Sequence, residues 1–222
     1  MLNQIIRILQ QYGHVYLKGL WGTIWLSLVT VTAATVFGTL VALMKMSHIK
    51  LLNFIVNVYV EVTRGTPLLL QLYFFWIFLP KAMPFEMTDT QCVIVALIFN
   101  SSAYVAEVIR SGIQAVDSGQ TEAALSLGLS RKNTMTRIIL PQAVKNILPA
   151  LGNEFISLVK ETSVISVIAV NDLMKMAGYV GSRTWDVIPP YVIAAAIYLT
   201  MTLFLTWLMG RFEKMMAKSD RH

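Results

Sequence analysis

The chain has 222 residues, of which 56% are hydrophobic and only 14% are charged, whereas charged residues make up about 25% of an ordinary soluble domain. This composition argues against a soluble enzyme and favours a membrane protein of one domain. The formal net charge of +6 would suggest nucleic-acid binding in a soluble chain, but here it follows from the membrane topology derived below.

The chain begins with an amphipathic segment and a long apolar run. Residues 1–19 mix isoleucine and leucine with polar side chains, so we expect a short helix lying at the membrane interface. The apolar run 20–44 is too long for the core of a signal peptide. As a helix it would extend about 37 Å, against about 30 Å of hydrocarbon, and it is the first predicted transmembrane span.

The second apolar region, residues 51–79, is interrupted by the sequence Arg64-Gly65-Thr66-Pro67. Proline removes a helical hydrogen bond, so we expect a kink or break at Pro67 within this second span. Glu61 and Arg64 are three residues apart and could pair on one face of the helix. A loop is predicted to follow, and the third span then begins at residue 91.

The rest of the chain alternates apolar and polar stretches. In order, they are a third span (91–109), a polar-to-amphipathic stretch called the connecting loop below (118–140), a fourth span (146–170), a loop with an amphipathic turn (171–186), a fifth span (187–210) and a basic tail (213–222). No internal repeat is present. The predicted fold is therefore all-α, an integral membrane protein with five transmembrane helices.

The basic residues predict the orientation of these spans. Of the 18 lysines and arginines, 11 lie on the side of the connecting loop and the C-terminus, and five on the side of the N-terminus. The positive-inside rule places the first side in the cytoplasm and the N-terminus outside the cell membrane. The net positive charge of the chain is thus explained by its membrane topology and gives no support to nucleic-acid binding.

The connecting loop contains signals for two helical pieces. Asp117 or Ser118 can cap the first piece, and Gly128 can end it in a left-handed conformation. Ser130 can cap the second, and Pro141 marks a break or kink about ten residues later. A bent helix pair of this kind, exposed on one side of a membrane, is suited to being bound by another protein.

This loop resembles the EAA loop in permease subunits of ATP-binding-cassette (ABC) importers. The pattern is Glu-Ala-Ala, three residues, Gly, nine residues and Ile-x-Leu-Pro, and it is matched without a gap at Glu122, Ala123, Ala124, Gly128, Ile138, Leu140 and Pro141. Residues 64–69 and 151–155 resemble the polar amino acid uptake branch of that family. The resemblance covers residues 19–212.

The resemblance implies a type I ABC importer permease fold in which 20–212 is the transmembrane domain and the connecting loop is the coupling helix. In the family this helix docks into a groove of the ATPase, and Glu122, Ala123, Ala124 and Gly128 would carry that contact here. The implied partners are a second permease (an identical copy or a related chain), two ATPase subunits and an extracellular solute-binding protein.

The chain contains no recognisable nucleotide-binding, metal-binding or redox motif. Without a GxxxxGK[ST] phosphate loop, no nucleotide cofactor is expected in this chain, and ATP and magnesium would bind to the partner ATPase. There is no HExxH metal site, and the three histidines lie outside the predicted spans. The single cysteine, Cys92, excludes an intrachain disulfide and a CxxC motif. We therefore expect a transport subunit and no enzyme.

Polar residues within the spans predict a translocation pathway. Glu154, Ser157 and Glu161 share one face of the fourth span, and Glu154 lies close to the membrane midplane. A carboxylate at that depth costs at least about 2.5–3.5 kcal/mol, so it should face protein or a water-filled cavity. Asn100 and Ser101 lie at the middle of the third span. These five residues, with Gln71 as a weaker candidate, are the predicted substrate-binding set.

The hypothesis is that Glu154 contacts a cationic group of a polar amino acid, either its α-ammonium or a basic side chain. In the alternative, Glu154 and Glu161 are neutralised by Lys160, Arg64 or another subunit and serve packing. Two other classes of protein remain open. A secondary transporter or channel would need no ATPase but usually shows an inverted repeat, and a non-transporting scaffold would tolerate apolar residues in place of the carboxylates.

Overall fold

The computed structural model describes residues 1–168 and 170–218, and all regular secondary structure in that part of the chain is helical. Residues 219–222 of the predicted basic tail lie outside the described residues. The α-helices are α1 (Leu2–Lys45), α2 (Lys50–Gly65), α3 (Leu68–Ala82), α4 (Asp89–Gln114), α5 (Ser118–Ser126), α6 (Arg131–Thr134), α7 (Leu140–Glu161), α8 (Leu173–Thr184) and α9 (Ile188–Lys218). A π-helical turn (Met135–Ile139) links α6 to α7, and a 3-10 segment (Thr162–Ile168) follows α7.

Three helices of the described chain, α1, α4 and α9, are each long and apolar enough to cross a membrane. Two bent pairs raise the number of candidate spans to five at most: α2 with α3, and residues 131–168 with α8. The all-helical architecture predicted from the sequence is confirmed, and each predicted span falls on one of these helices or helix pairs.

Helix α1 continues unbroken from the predicted interfacial segment 1–19 into the predicted first span 20–44. The expectation of a separate short helix is therefore wrong. No proline interrupts the segment, and three of its four glycines, Gly19, Gly22 and Gly38, lie at close contacts with other elements. A Cβ atom on Gly22 would lie 2.2 Å from the carbonyl oxygen of Asn171, and one on Gly38 would lie 2.6 Å from Val105 Cγ1.

The break predicted at Pro67 is confirmed, because α2 and α3 meet there at an angle of 112°. The amide of Asn53, at the start of α2, donates to the backbone carbonyl of Lys45. At the far end of α3, the indole nitrogen of Trp76 donates to Asp89 Oδ1 over 2.8 Å. The bent pair thus runs from the C-terminal end of α1 to the N-terminal end of α4.

Side-chain contacts identify the two ends of the bundle. Lys45 forms an ion pair of 3.0 Å with Glu107, which joins the end of α1 to the end of α4 next to the connecting loop. The other end is formed by the first half of α1, α8 and the start of α9. Its core contains Ile8, Tyr16, Leu173, Ala177, Val180, Ile193 and Ala194.

Two segments predicted to lie outside the spans are helical, at least in part. The predicted loop 171–186 contains α8, because the side chain of Asp172 caps its N-terminus by accepting from the backbone nitrogens of Met174 (3.1 Å) and Lys175 (2.9 Å). Apolar residues at helical spacing then pack this helix against α1 and α9. The second segment is the predicted tail from residue 213, which continues α9 as far as Lys218.

Candidate functional site

The connecting loop is organised by the caps that its sequence predicts. Asp117 Oδ1 accepts from the backbone nitrogen of Gly119 over 2.7 Å at the start of α5. Gly128, at φ 83°, ends that helix in the left-handed conformation. The backbone nitrogen of Leu129 then donates to the carbonyl of Ala124 over 3.1 Å, as in a Schellman motif. Ser130 caps α6 as predicted.

Most of the predicted coupling residues are exposed on α5 or directly after it. Glu122, Ala123 and Gly128 are exposed, whereas Ala124 is buried on the inner side of α5. Leu127, directly after α5, is 84% exposed. A helix with small residues and an uncovered leucine on one side can pack closely against another protein.

No break is found at Pro141, where the sequence predicts a break or kink. The irregularity lies just before it, as a π-helical turn. The backbone nitrogen of Leu140 donates to the carbonyl of Met135, five residues earlier. Pro141 lies in the first turn of α7, where a missing backbone N–H is tolerated. As a result, α6, the π-helical turn and α7 follow one another without an irregular residue, and they join the connecting loop directly to the fourth span.

Gln71 and Asn100 are brought together, but around the break between α2 and α3. Asn100 Nδ2 donates to Gln71 Oε1 over 2.9 Å. Gln71 Nε2 in turn donates to the carbonyl of Thr63 (2.7 Å) and to Thr66 Oγ1 (2.8 Å). Both amide side chains are buried. In this arrangement they hold the break against α4, which is a structural role, and their contact with substrate stays a prediction.

Ser101 is 1% exposed, and within the described residues its hydroxyl has no hydrogen-bond partner. Its neighbour Ser102 lies at the close crossing of α1 and α4, where a Cβ on Gly38 would be 2.9 Å from the Ser102 carbonyl. Small residues allow membrane helices to approach in this way. In this conformation Ser101 is therefore enclosed by protein, and its contact with substrate stays a prediction.

Glu154, Ser157 and Glu161 are half-buried on α7, as the helical spacing predicts. Over residues 1–168 and 170–218, neither carboxylate forms a hydrogen bond or an ion pair within 4.0 Å. Glu154 nevertheless lies within electrostatic range of Glu161 and of Arg64, and Glu161 within that of Lys160. Neither carboxylate is therefore neutralised by direct contact with a positive charge among the described residues.

Arg64 lies at the end of α2 and does not form the predicted pair with Glu61. Its guanidinium is 5.4 Å from the centre of the Tyr104 ring on α4, a distance that allows a cation–π contact. Arg64 and Tyr104 were not predicted as site residues. The position of Arg64 beside the Pro67 break was the available signal, but its approach to α7 depends on how three helices pack.

The charged groups of the candidate site are therefore Glu154 and Glu161 on α7 and Arg64 at the end of α2, which lies over the Tyr104 ring of α4. Glu154 and Glu161 can attract an ammonium or a guanidinium, and Arg64 can attract a carboxylate. A zwitterionic solute carries both kinds of group. Elsewhere in the described chain, no group of three or more His, Cys, Asp or Glu side chains is placed to hold a metal ion.

The sequence is similar to known transport proteins over most of its length. The family model for "binding-protein-dependent transport system inner membrane component" matches residues 34–218. The arginine transport system permease protein ArtQ of Bacillus subtilis is 38% identical over 204 residues, 92% of this chain and 93% of the relative. The probable glutamine ABC transporter permease protein GlnM of the same organism is 39% identical over 214 residues, 96% and 99% of the two chains.

Solved structures of ABC transporters also superpose on this chain. A crystal structure of an amino acid ABC transporter with histidines superposes with a TM-score of 0.89 at 45% identity, covering 93% of this chain and 96% of the other. An inward-facing structure of the MetNI methionine ABC transporter superposes with a TM-score of 0.78 at 16% identity, covering 93% and 98%. The second similarity shows the fold alone.

Proposed function

Because the chain belongs to the binding-protein-dependent transport system inner membrane components, a family of multi-pass membrane permeases, we propose that it carries polar, and preferentially basic, amino acids into the cell. It acts as the permease subunit of an ATP-driven ABC importer. The N-terminus lies outside, and the connecting loop and C-terminus lie in the cytoplasm. The names of the relatives, which include arginine and glutamine permeases, support the class of substrate.

The observation that carries the proposal is the pair of half-buried carboxylates on α7 that lack a direct partner. Placing such groups in a bilayer is unfavourable, so a bound cation that neutralises them stabilises the complex. Glu154 and Glu161 provide negative charge for the α-ammonium and a basic side chain, and Arg64 is available for the α-carboxylate. Ser157, on the same face, adds a hydroxyl that can donate or accept.

The connecting loop supplies the means of driving transport. Five spans enclose a pathway poorly, so two permeases pair, either two copies of this chain or this chain and a related one. Each binds an ATPase subunit through Glu122, Ala123, Gly128 and the rest of the exposed surface of α5, and those ATPase subunits hold the ATP and magnesium. Movement of α5 is passed through α6 and the π-helical turn to α7, which alternates between states open to the outside and to the inside.

The test is uptake into proteoliposomes that contain the permease, its ATPase subunits and an added solute-binding protein. We expect ATP-dependent accumulation of radiolabelled arginine, lysine or histidine. Glu154→Gln removes one charged contact, worth about 1.5–3 kcal/mol, and should raise the substrate concentration at half-maximal rate about 10- to 100-fold. Glu86→Gln, which alters an exposed carboxylate in the loop before α4, is the matched control.

Two results would contradict the proposal. Uptake that proceeds without ATP and without the ATPase subunits would identify a secondary transporter or channel. An unchanged half-saturating concentration in Glu154→Gln for every amino acid tested would show that the carboxylates of α7 serve packing.

A further inference from the structure

The end of the bundle opposite the connecting loop carries an exposed tryptophan. Trp185 lies in the turn between α8 and α9, and 95% of its surface is exposed. Val187 and Ile188, which follow it, are 66% and 65% exposed. Val187 and Ile188 belong to the predicted fifth span, where contact with lipid accounts for their exposure. Trp185 precedes that span and forms an apolar tip that nothing in the described chain covers, and an uncovered apolar group of this size can mark a site of interaction.

The backbone of Trp185 is also unfavourable for its side chain. With φ at 56°, it is the one residue other than glycine with a positive φ among the described residues. The position ends α8, where glycine is the preferred residue, and a bulky side chain in the left-handed region is strained. Neither local conformation nor burial therefore accounts for a tryptophan here.

Beside this tip is a polar cavity of about 380 Å³ between the first turns of α1 and the end of α8. Its lining includes Arg7 and Arg183, both of them exposed. The only carboxylate in the lining is that of Asp186, and the remaining polar groups belong to Gln4, Gln11, Tyr12 and Thr184. The cavity has an excess of positive charge and is open to an acidic partner.

We propose that Trp185, Arg7 and Arg183 form part of the surface that receives the solute-binding protein. This inference rests on the proposed function and on the dependence on a binding protein that defines the family. Trp185 inserts into an apolar recess of the partner, and the two guanidinium groups pair with its acidic side chains. Tryptophan and arginine are the residues most often found to dominate binding at protein interfaces, and arginine binds carboxylates bidentately.

A tryptophan at this level of the membrane could instead anchor the protein among lipid headgroups. The geometry favours a protein partner because a lipid anchor requires neither a left-handed backbone nor an arginine-lined recess next to it. A docking surface uses both, since a projecting side chain beside a cavity gives the partner complementary shape as well as charge.

The test measures the dissociation constant between the assembled transporter, in nanodiscs of phosphatidylcholine, and the solute-binding protein that supports uptake in the proteoliposome assay. Trp185→Gly should raise this constant at least tenfold, and an excess of binding protein should recover uptake. Because glycine suits the backbone at this position, the thermal stability of the variant should not fall. Arg183→Glu should have a similar effect on binding, and it should weaken the dependence of binding on salt.

Matched controls are Trp21→Leu, which alters an exposed tryptophan of α1 outside the cavity, and Lys81→Glu, which alters an exposed lysine at the end of α3. Both should leave the dissociation constant unchanged. If Trp185→Gly and Arg183→Glu also leave it unchanged, the inference is overturned, and a stability that then depends on added phosphatidylglycerol would assign the surface to lipid. If the wild-type transporter neither binds nor responds to any binding protein, the proposed function itself fails.

Discussion

Replacing Gln71 with leucine tests whether the buried amides support the fold or contact the substrate. The side chain of Gln71 donates to Thr63 and Thr66 and accepts from Asn100 over 2.7, 2.8 and 2.9 Å. Interhelical hydrogen bonds in membranes contribute about 0.6 kcal/mol on average, and each buried group left without a partner costs about 1–3 kcal/mol. Gln71→Leu should therefore lower the free energy of unfolding by about 3 kcal/mol.

The measurement is equilibrium unfolding of the purified protein in mixed micelles, supported by the melting temperature, which should fall by roughly 6–12 °C. Gln142→Leu is the matched control, because Gln142 is exposed and its side chain donates only locally, to the carbonyl of Ile138 four residues earlier. That variant should stay within about 0.5 kcal/mol of the wild type.

The double variant Gln71→Leu/Asn100→Leu makes the test more specific. Each single change leaves the other amide without its partner, whereas the double change removes both. Its destabilisation should be smaller than the sum of the two single effects by at least about 0.5 kcal/mol. A Gln71→Leu protein of normal stability that needs far more arginine for half-maximal uptake would refute this reasoning and restore the contact with substrate predicted from the sequence.

Two further substitutions test glycines that the structure singles out. Gly128→Ala introduces a side chain at φ 83° and should cost about 1 kcal/mol. It should weaken transport-coupled ATP hydrolysis in the assembled complex more than Gly128→Asn does, and equal activity of the two variants would argue against a left-handed end to α5. Gly22→Ala places a Cβ 2.2 Å from the Asn171 carbonyl and should lower the free energy of unfolding by about 1–3 kcal/mol, measured in the same micelles. Gly13→Ala, with nothing within 4 Å of the new Cβ, should not.

The features predicted correctly from the sequence depend on neighbouring residues. Asp117, Gly128 and Ser130 are cap signals whose partners lie within a few positions along the chain, and Pro67 alters the hydrogen bonding of its own turn. Such signals can be interpreted without knowing the fold. The family resemblance likewise rests on a contiguous pattern in the connecting loop.

The features that the sequence did not predict depend on contacts between distant residues. The segment 171–186 was expected to be a loop with an amphipathic turn, but helix α8 within it is stabilised by packing on α1, some 160 residues earlier. Gln71 and Asn100 are 29 residues apart, so their pairing could not be anticipated from either span alone. The cation–π contact of Arg64 with Tyr104, 40 residues further along the chain, is of the same kind.

The π-helical turn has a consequence for the relative rotation of the two functional surfaces. A π-helical turn contains one residue more than the α-helical turn it replaces, and one residue corresponds to about 100° around a helix axis. The segment 135–139 therefore sets the azimuth of α5 relative to the carboxylate face of α7. Deleting a single residue from this segment would keep every docking side chain of α5 and every binding side chain of α7. It would, however, rotate the two groups of side chains relative to each other around the helix axis.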